Sequence, residues 1–204
     1  MAKAARSSAR TRGKPDLAAL AAPGHPGAGR DPDTIRRYQP LLELFAAYYR
    51  PEVRGFDDLP ASGPCLVVAN HSGGGAPPDM PILLTRWWRR RGVEEPVYGL
   101  FHSFFIGLPG FRSVLTRFGA LEAGWEAAGA VLEAGGIVLV YPGGDHEAFR
   151  TWKDRNRIDL AGRTGFVKLA LRTGVPIVTA VSIGVQDSIF VLTRVERPAR
   201  RSPT

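Results

Sequence analysis

Residues 65–84 read CLVVANHSGGGAPPDMPILL, and this stretch decides the fold. The apolar run 65–69 has the length and composition of a buried strand. It stops at Asn70-His71, after which come Gly73, Gly74 and Gly75, then Pro77 and Pro78. Asp79 opens a helical pattern over 80–91. A histidine thus sits at the carboxyl end of a strand, and a carboxylate returns at a helix start. In open α/β sheets that edge is where ligands bind. Asp79 can cap the helix, with Pro81 tolerated in its first turn. It can hold an imidazole at the same time, because a carboxylate has two oxygens. A neutral imidazole held through one nitrogen is a competent general base near neutral pH. The alternative is a core histidine satisfied by a neighbouring carbonyl. The glycines, which let a substrate approach the backbone, weigh toward chemistry.

A second strand end repeats the arrangement. Residues 137–150 read IVLVYPGGDHEAFR, a β-branched apolar run that ends in glycines and then Asp145, His146, Glu147 and Arg150. Further strands are expected over 97–101 and 175–183, the latter buried on both faces, and a short edge strand over 53–59. Helices are expected over 126–133, closed by Gly135-Gly136, and over 165–173, closed by Gly174. Helices alternating with continuous apolar strands predict a mostly parallel central sheet flanked by helices, an α/β fold. Asp33-Thr34 reads as a capping pair for a helix with Ile35, Tyr38, Leu41, Leu42, Phe45 and Tyr49 on one face. Pro40 should kink or restart that helix. Its apolar face, flanked by Arg36, Arg37 and Arg50, is expected to pack on the domain, with a bilayer as the alternative. Trp87 and Trp88, beside four arginines, suit either a headgroup interface or a solvated helix end.

The 204 residues, 44% hydrophobic and 23% charged, suggest one domain. The net charge of +8 is carried by the two ends. Lys3, Arg6, Arg10, Arg12, Lys14 and Arg30 face only Asp16 in residues 1–30, and Arg194, Arg197, Arg200 and Arg201 face only Glu196 in 194–204. The rest is neutral, so the basic pI is no argument for nucleic acid. The expected domains are a disordered basic tail over 1–32, a folded unit over 33–193 and a disordered basic tail over 194–204. The tails could rest on anionic lipid. Cys65 is the single cysteine, which excludes an intrachain disulfide and suits a reducing compartment. No apolar run reaches the ~18 residues of a membrane span, and no secretory leader is read.

Together the two strand ends resemble the glycerolipid acyltransferase superfamily, the lysophospholipid and glycerophosphate acyltransferases. Its first block, a histidine–aspartate pair after an apolar strand, is matched by Asn70, His71 and Asp79. Its third block, usually Phe-Pro-Glu-Gly, is matched in a Pro-Gly-Gly form by Tyr141, Pro142, Gly143, Gly144 and Glu147. Its last block, an apolar strand opened by proline, is matched by Val175, Pro176, Ile177 and Val178. The likeness runs from about residue 53 to 188 and is closest to the actinobacterial and diacylglycerol-acyltransferase-like branches. Seven residues separate His71 from Asp79, where the family commonly has four. Residues 119–124, in place of the second block, lack its phosphate-gripping arginine. Family members usually continue with further strands after the last block, so the fold is expected to be glycerophosphate-acyltransferase-like and C-terminally shortened.

The resemblance implies acyl transfer from acyl-CoA or acyl-carrier protein to a hydroxyl of a glycerolipid or lysophospholipid. His71 would be the general base and Asp79 its orienting partner. Substrate contacts would come from Gly73, Gly74, Gly143, Gly144, Glu147 and Arg150, with Lys153 beside them, and an oxyanion site from the N–H groups of residues 73–75. It implies no cofactor and no metal. The implied partners are acyl-CoA, the lipid acceptor and a membrane surface, on the inner face of the cell membrane. Two other classes stay open. One is a catalytically weak lipid- or acyl-binding protein without the family's C-terminal elements. The other is a metal-dependent hydrolase using His71, Asp79, His102 and His146.

Overall fold

The computed structural model describes residues 14–75, 77–107 and 109–192. Five strands, β1 (Leu66–Ala69), β2 (Val97–Phe101), β3 (Ala120–Glu122), β4 (Ile137–Val140) and β5 (Ile177–Ala180), form one sheet in the order β3-β2-β4-β1-β5. Every pairing is parallel: Leu66 is opposite both Val138 and Ile177, Val97 opposite Ile137, and Gly99 opposite Ala120. The helices are α1 (Leu17–Ala21), α2 (Pro32–Tyr48), α3 (Asp79–Arg91), α4 (Ser103–Ile106), α5 (Phe111–Arg117), α6 (Trp125–Glu133), α7 (Gly144–Ala148) and α8 (Gly165–Thr173).

Strand alternation divides the core into two layers. Cys65, Val67 and Ala69 join Ile137, Leu139 and Tyr141 on one face, where Ile35 of α2 and Met80, Leu84, Trp87 and Trp88 of α3 cover them. Leu66, Val68 and Val138 point to the other face, covered by Leu20 of α1, Val131 and Leu132 of α6, and Leu169 and Ala170 of α8. The connection leaving β1 runs through α3 on the first face, and the one leaving β4 runs through α8 on the second. Neighbouring strands whose connections diverge in this way leave a crevice at their carboxyl ends. That crevice receives His71 from β1 and Tyr141 from β4.

Four expectations are corrected. Order begins well before residue 33. Asp16 caps α1, its N–H bonds the Ala134 carbonyl, and Leu20 is buried. Arg30 reaches the carbonyls of Val93 and Glu95 at 2.5 and 2.9 Å. Small residues concealed this packing, because a segment needs few large side chains when it lies against an already formed layer. The remainder of the expected tails, residues 1–13 and 193–204, lies outside the described residues. The cap of α2 is Asp31 rather than Asp33, its Oδ1 accepting from the N–H groups of Asp33 and Thr34, and the helix continues through Pro40. Residues 53–59 form no strand, only a short 3-10 turn at Phe56–Asp58. Finally, β5 is short and stands at the sheet edge, where Ile177, Val181 and Ile183 are exposed rather than buried on both faces.

Candidate active site

The seven residues after His71 fold back so that its Nδ1 lies 2.9 Å from Asp79 Oδ2. The same oxygen accepts from the Ser72 N–H at 2.8 Å, and Oδ1 accepts from the Met80 N–H at 2.7 Å. A carboxylate has no proton to give, so Nδ1 carries the hydrogen and Nε2 keeps its lone pair. Asp79 is buried as the first residue of α3, where the helix dipole also favours its charge. The His71 side chain retains 15% of its exposure, and its Nε2 makes no hydrogen bond among the described residues. The Tyr141 ring lies against the imidazole with centroids 4.5 Å apart. Burial, reinforced by the Asp79 charge, pushes the Tyr141 hydroxyl well above its ordinary range. That phenol stays neutral and serves as a wall.

Gly73 and Gly74 make the return loop possible. Their φ angles are +100° and +71°, a region that costs other residues strain. A Cβ on Gly73 would lie 2.6 Å from Pro78 Cδ, and one on Gly74 would strike Ile189. Their N–H groups are already committed, Gly73 to Gln186 Oε1 at 3.2 Å and Gly74 to the Ala148 carbonyl at 3.0 Å. The expected oxyanion donors at these two positions are therefore engaged inside the protein. Gly143 and Gly144 likewise face protein, Gly143 packing on Glu147 and Gly144 on Arg163.

Glu147 and Arg150, read from the sequence as substrate contacts, turn inward and brace the His71 loop. Glu147 Oε2 accepts from the His71 N–H at 2.8 Å. Burial pushes the Glu147 carboxyl above its usual range, against the pull of the His71 N–H and the Arg150 charge. Arg150 donates from Nη1 to the carbonyls of His71 (2.7 Å) and Glu147 (3.0 Å), from Nη2 to Ser72 Oγ (2.5 Å), and from Nε to the Arg155 carbonyl (3.2 Å). Lys153, by contrast, is exposed. A polar concavity of about 270 Å³ opens beside this brace, lined by His146, Thr151 and Arg157 among others.

Sequence reasoning missed Gln186, Ser72 and Ser182. Gln186 is buried, and its Nε2 donates to the Arg150 carbonyl at 3.0 Å while its Oε1 holds Gly73. The Asn70 side chain exchanges two hydrogen bonds with the Ser182 backbone, at 2.9 and 2.7 Å. Gln186 and Ser182 lie more than a hundred residues from Gly73 and Asn70, which they hold, and a lone glutamine in an apolar stretch was their only trace.

The hydrolase alternative fares poorly in the structure. His102 Nδ1 accepts from the Phe104 N–H at 3.2 Å, and His146 Nε2 lies 3.1 Å from Asp159 Oδ2. Among the described residues no group of three or more His, Cys, Asp or Glu could hold a metal. Trp87 and Trp88 are buried in the core, so neither can meet a headgroup. The arginines around them are paired, Arg86 with Glu43, Arg90 with Asp57 and Arg91 with Glu95. No helix among the described residues is long and apolar enough to cross a membrane.

The fold and site together define a parallel α/β domain with a carboxylate-held histidine at the carboxyl edge of its sheet. Residues 50–183 match the Acyltransferase family model, and the chain belongs to the acyltransferase family. It is 32% identical over 163 residues to an uncharacterized protein of Mycobacterium tuberculosis, covering 79% of this chain and 45% of that one. It is 27% identical over 142 residues to the bovine "DGAT1/2-independent enzyme synthesizing storage lipids", covering 70% of this chain and 41% of that enzyme. Human 2-acylglycerol O-acyltransferase 3 is 33% identical over 92 residues, 44% of this chain and 26% of that protein. The chain thus spans less than half the length of these relatives. No solved structure matches it.

Proposed function

We propose that the protein transfers a fatty acyl group from an acyl thioester, acyl-CoA or acyl-carrier protein, to a hydroxyl of a glycerolipid at a membrane surface. The observation that carries this reading is the His71–Asp79 pair, with Nδ1 held at 2.9 Å and Nε2 without a hydrogen-bond partner among the described residues. Nε2 takes the proton of the acceptor hydroxyl as its oxygen attacks the thioester carbon. Asp79 fixes the tautomer and stabilises the imidazolium. The carbon–sulfur bond then breaks, the proton passes from Nε2 to the departing sulfur, and an ester and a free thiol result. No covalent enzyme intermediate is needed.

An unphosphorylated acylglycerol is the favoured acceptor. Residues 119–124 lack a phosphate-gripping arginine, and two of the relatives carry names of storage-lipid and acylglycerol enzymes. The test is release of free thiol from acyl-CoA by the purified chain, with monoacylglycerol, diacylglycerol, lysophosphatidic acid and lysophosphatidylcholine as acceptors. Acceptor-dependent thiol release with formation of the ester supports the reading. Acyl-CoA binding without thiol release for any acceptor overturns it in favour of a lipid-binding protein.

A further inference from the structure

Helix α2 has two apolar faces. Ile35 is buried in the core layer on the first face of the sheet, with Leu42 packed against that layer, and Ala46 is buried as well. On the opposite side Leu41, Leu44, Phe45 and Tyr48, spaced by three and four residues, form a second stripe that is 62%, 70%, 39% and 82% exposed. Isolated exposed apolar residues are ordinary, but a contiguous stripe marks an interaction surface.

Ion pairs show where the stripe lies. Arg36 pairs with Glu94 just beyond α3, and Glu43 pairs with Arg86 inside it, so α2 runs antiparallel to α3. The later turns of α2 therefore lie toward the first turn of α3, where Asp79 meets His71. Helix α5, like α3, carries the chain from the carboxyl end of one parallel strand back to the amino end of the next, so it too runs opposite to α2. Its last turn meets the start of α2 through the Asp31 N–H on the Arg117 carbonyl and Tyr38 packed edge-on against Phe118 at 6.1 Å. Its early residues Phe111 and Val114, both exposed, belong to the same end. Among the described residues Arg50 and Arg112 are exposed and make no ion pair, whereas nearby Glu43 and Glu52 are each paired with arginine.

We propose that the outer stripe of α2, with the opening turn of α5, is the face that docks the protein on an anionic lipid bilayer. The apolar stripe enters the headgroup boundary, Tyr48 sits at the interface, and Arg50 and Arg112 meet lipid charge. A second copy is disfavoured as occupant, because pairing two such faces would set unpaired arginines against one another. The placement brings the crevice that holds His71 toward the surface from which a lipid acceptor would arrive. The choice of a bilayer rests in part on the proposed lipid reaction, so the test separates the two.

Sedimentation of the full chain would be measured with vesicles of pure phosphatidylcholine and with vesicles containing about a third phosphatidylserine. The double variant Leu44→Glu/Tyr48→Glu should lower partitioning onto the anionic vesicles about ten-fold or more. Arg50→Glu should lower binding to the anionic vesicles and leave the neutral ones unchanged. Turnover of a water-soluble short-chain thioester and acceptor should match the native chain in all of these variants. Stripe-dependent binding without turnover of any substrate supports the docking face while removing the proposed reaction. Unaltered vesicle binding by the double variant overturns the docking face, whatever the turnover. So does a dimer in light scattering that the double variant dissociates.

Discussion

Arg150 donates from Nη1 to the main-chain oxygen of His71 at 2.7 Å, so a guanidinium on the β4 side of the sheet sets the position of the β1 strand end. Each nitrogen of that guanidinium bonds to the protein, to the carbonyls of His71, Glu147 and Arg155 and to the Ser72 hydroxyl. A lysine could replace the charge but not this fork. Arg150→Lys should lower kcat by about ten-fold or more while KM for the thioester changes little, measured by steady-state thiol release. A large rise in KM with kcat retained would show that Arg150 binds substrate instead.

The His71–Asp79 pair makes the sharpest prediction for activity. His71→Ala should lower kcat by about a thousand-fold, with the thermal midpoint nearly unchanged because the side chain is partly exposed. Asp79→Asn should cost about as much, since an amide can donate to Nδ1 and hold the wrong tautomer. Retention of more than about a tenth of the activity in either variant would remove the proposed base.

Gln186 ties the Gly73 N–H to the Arg150 carbonyl, a connection across two loops inside the protein. Gln186→Leu keeps the volume and leaves both partners unsatisfied, at roughly 2 kcal/mol for the pair. The expected result is a lower midpoint in urea unfolding together with reduced kcat. An unchanged midpoint would mean that water replaces the glutamine without penalty.

Glu147 should leave a mark on stability against pH. Its folded carboxyl is raised above the unfolded value by burial, so the folded state holds the proton more tightly. Stability is therefore highest below the ordinary glutamate range and declines as pH climbs through the raised folded value. Glu147→Gln retains an oxygen to accept from the His71 N–H and removes the titration. Subtracting the variant's stability from that of the native chain should give a difference that falls with rising pH. A difference independent of pH would show that the carboxyl titrates normally.

Cys65 lies at the start of β1 with its thiol buried, and burial pushes it up to about 12. A disulfide reagent at about pH 8 should not label the folded chain and should label it fully on unfolding, because only the thiolate reacts. The thiol would then give no background in thiol-release assays. Rapid labelling of the native protein would show that the amino end of β1 opens.

The sequence alone determined the elements that rest on local chemistry. The apolar runs before His71 and Tyr141 became β1 and β4 in their expected places, and the helix over residues 165–173 with its glycine cap appeared with those bounds. Parallel pairing followed from helices alternating with runs apolar on both sides. The glycines and Asp79 after β1 also foretold that the carboxylate could return to the imidazole. What only the tertiary structure decided was which way each side chain faces. Glu147 and Arg150 read as substrate contacts, yet they turn inward because the His71 main chain and the Ser72 hydroxyl offer them partners. The tryptophans of α3 are buried because one of its faces covers the sheet, while α2 carries apolar residues on two faces and the sheet can cover only one. Periodicity shows that a helix has an apolar face. Which surface is left for that face to meet depends on the order β3-β2-β4-β1-β5, which is set by contacts between residues far apart in the chain.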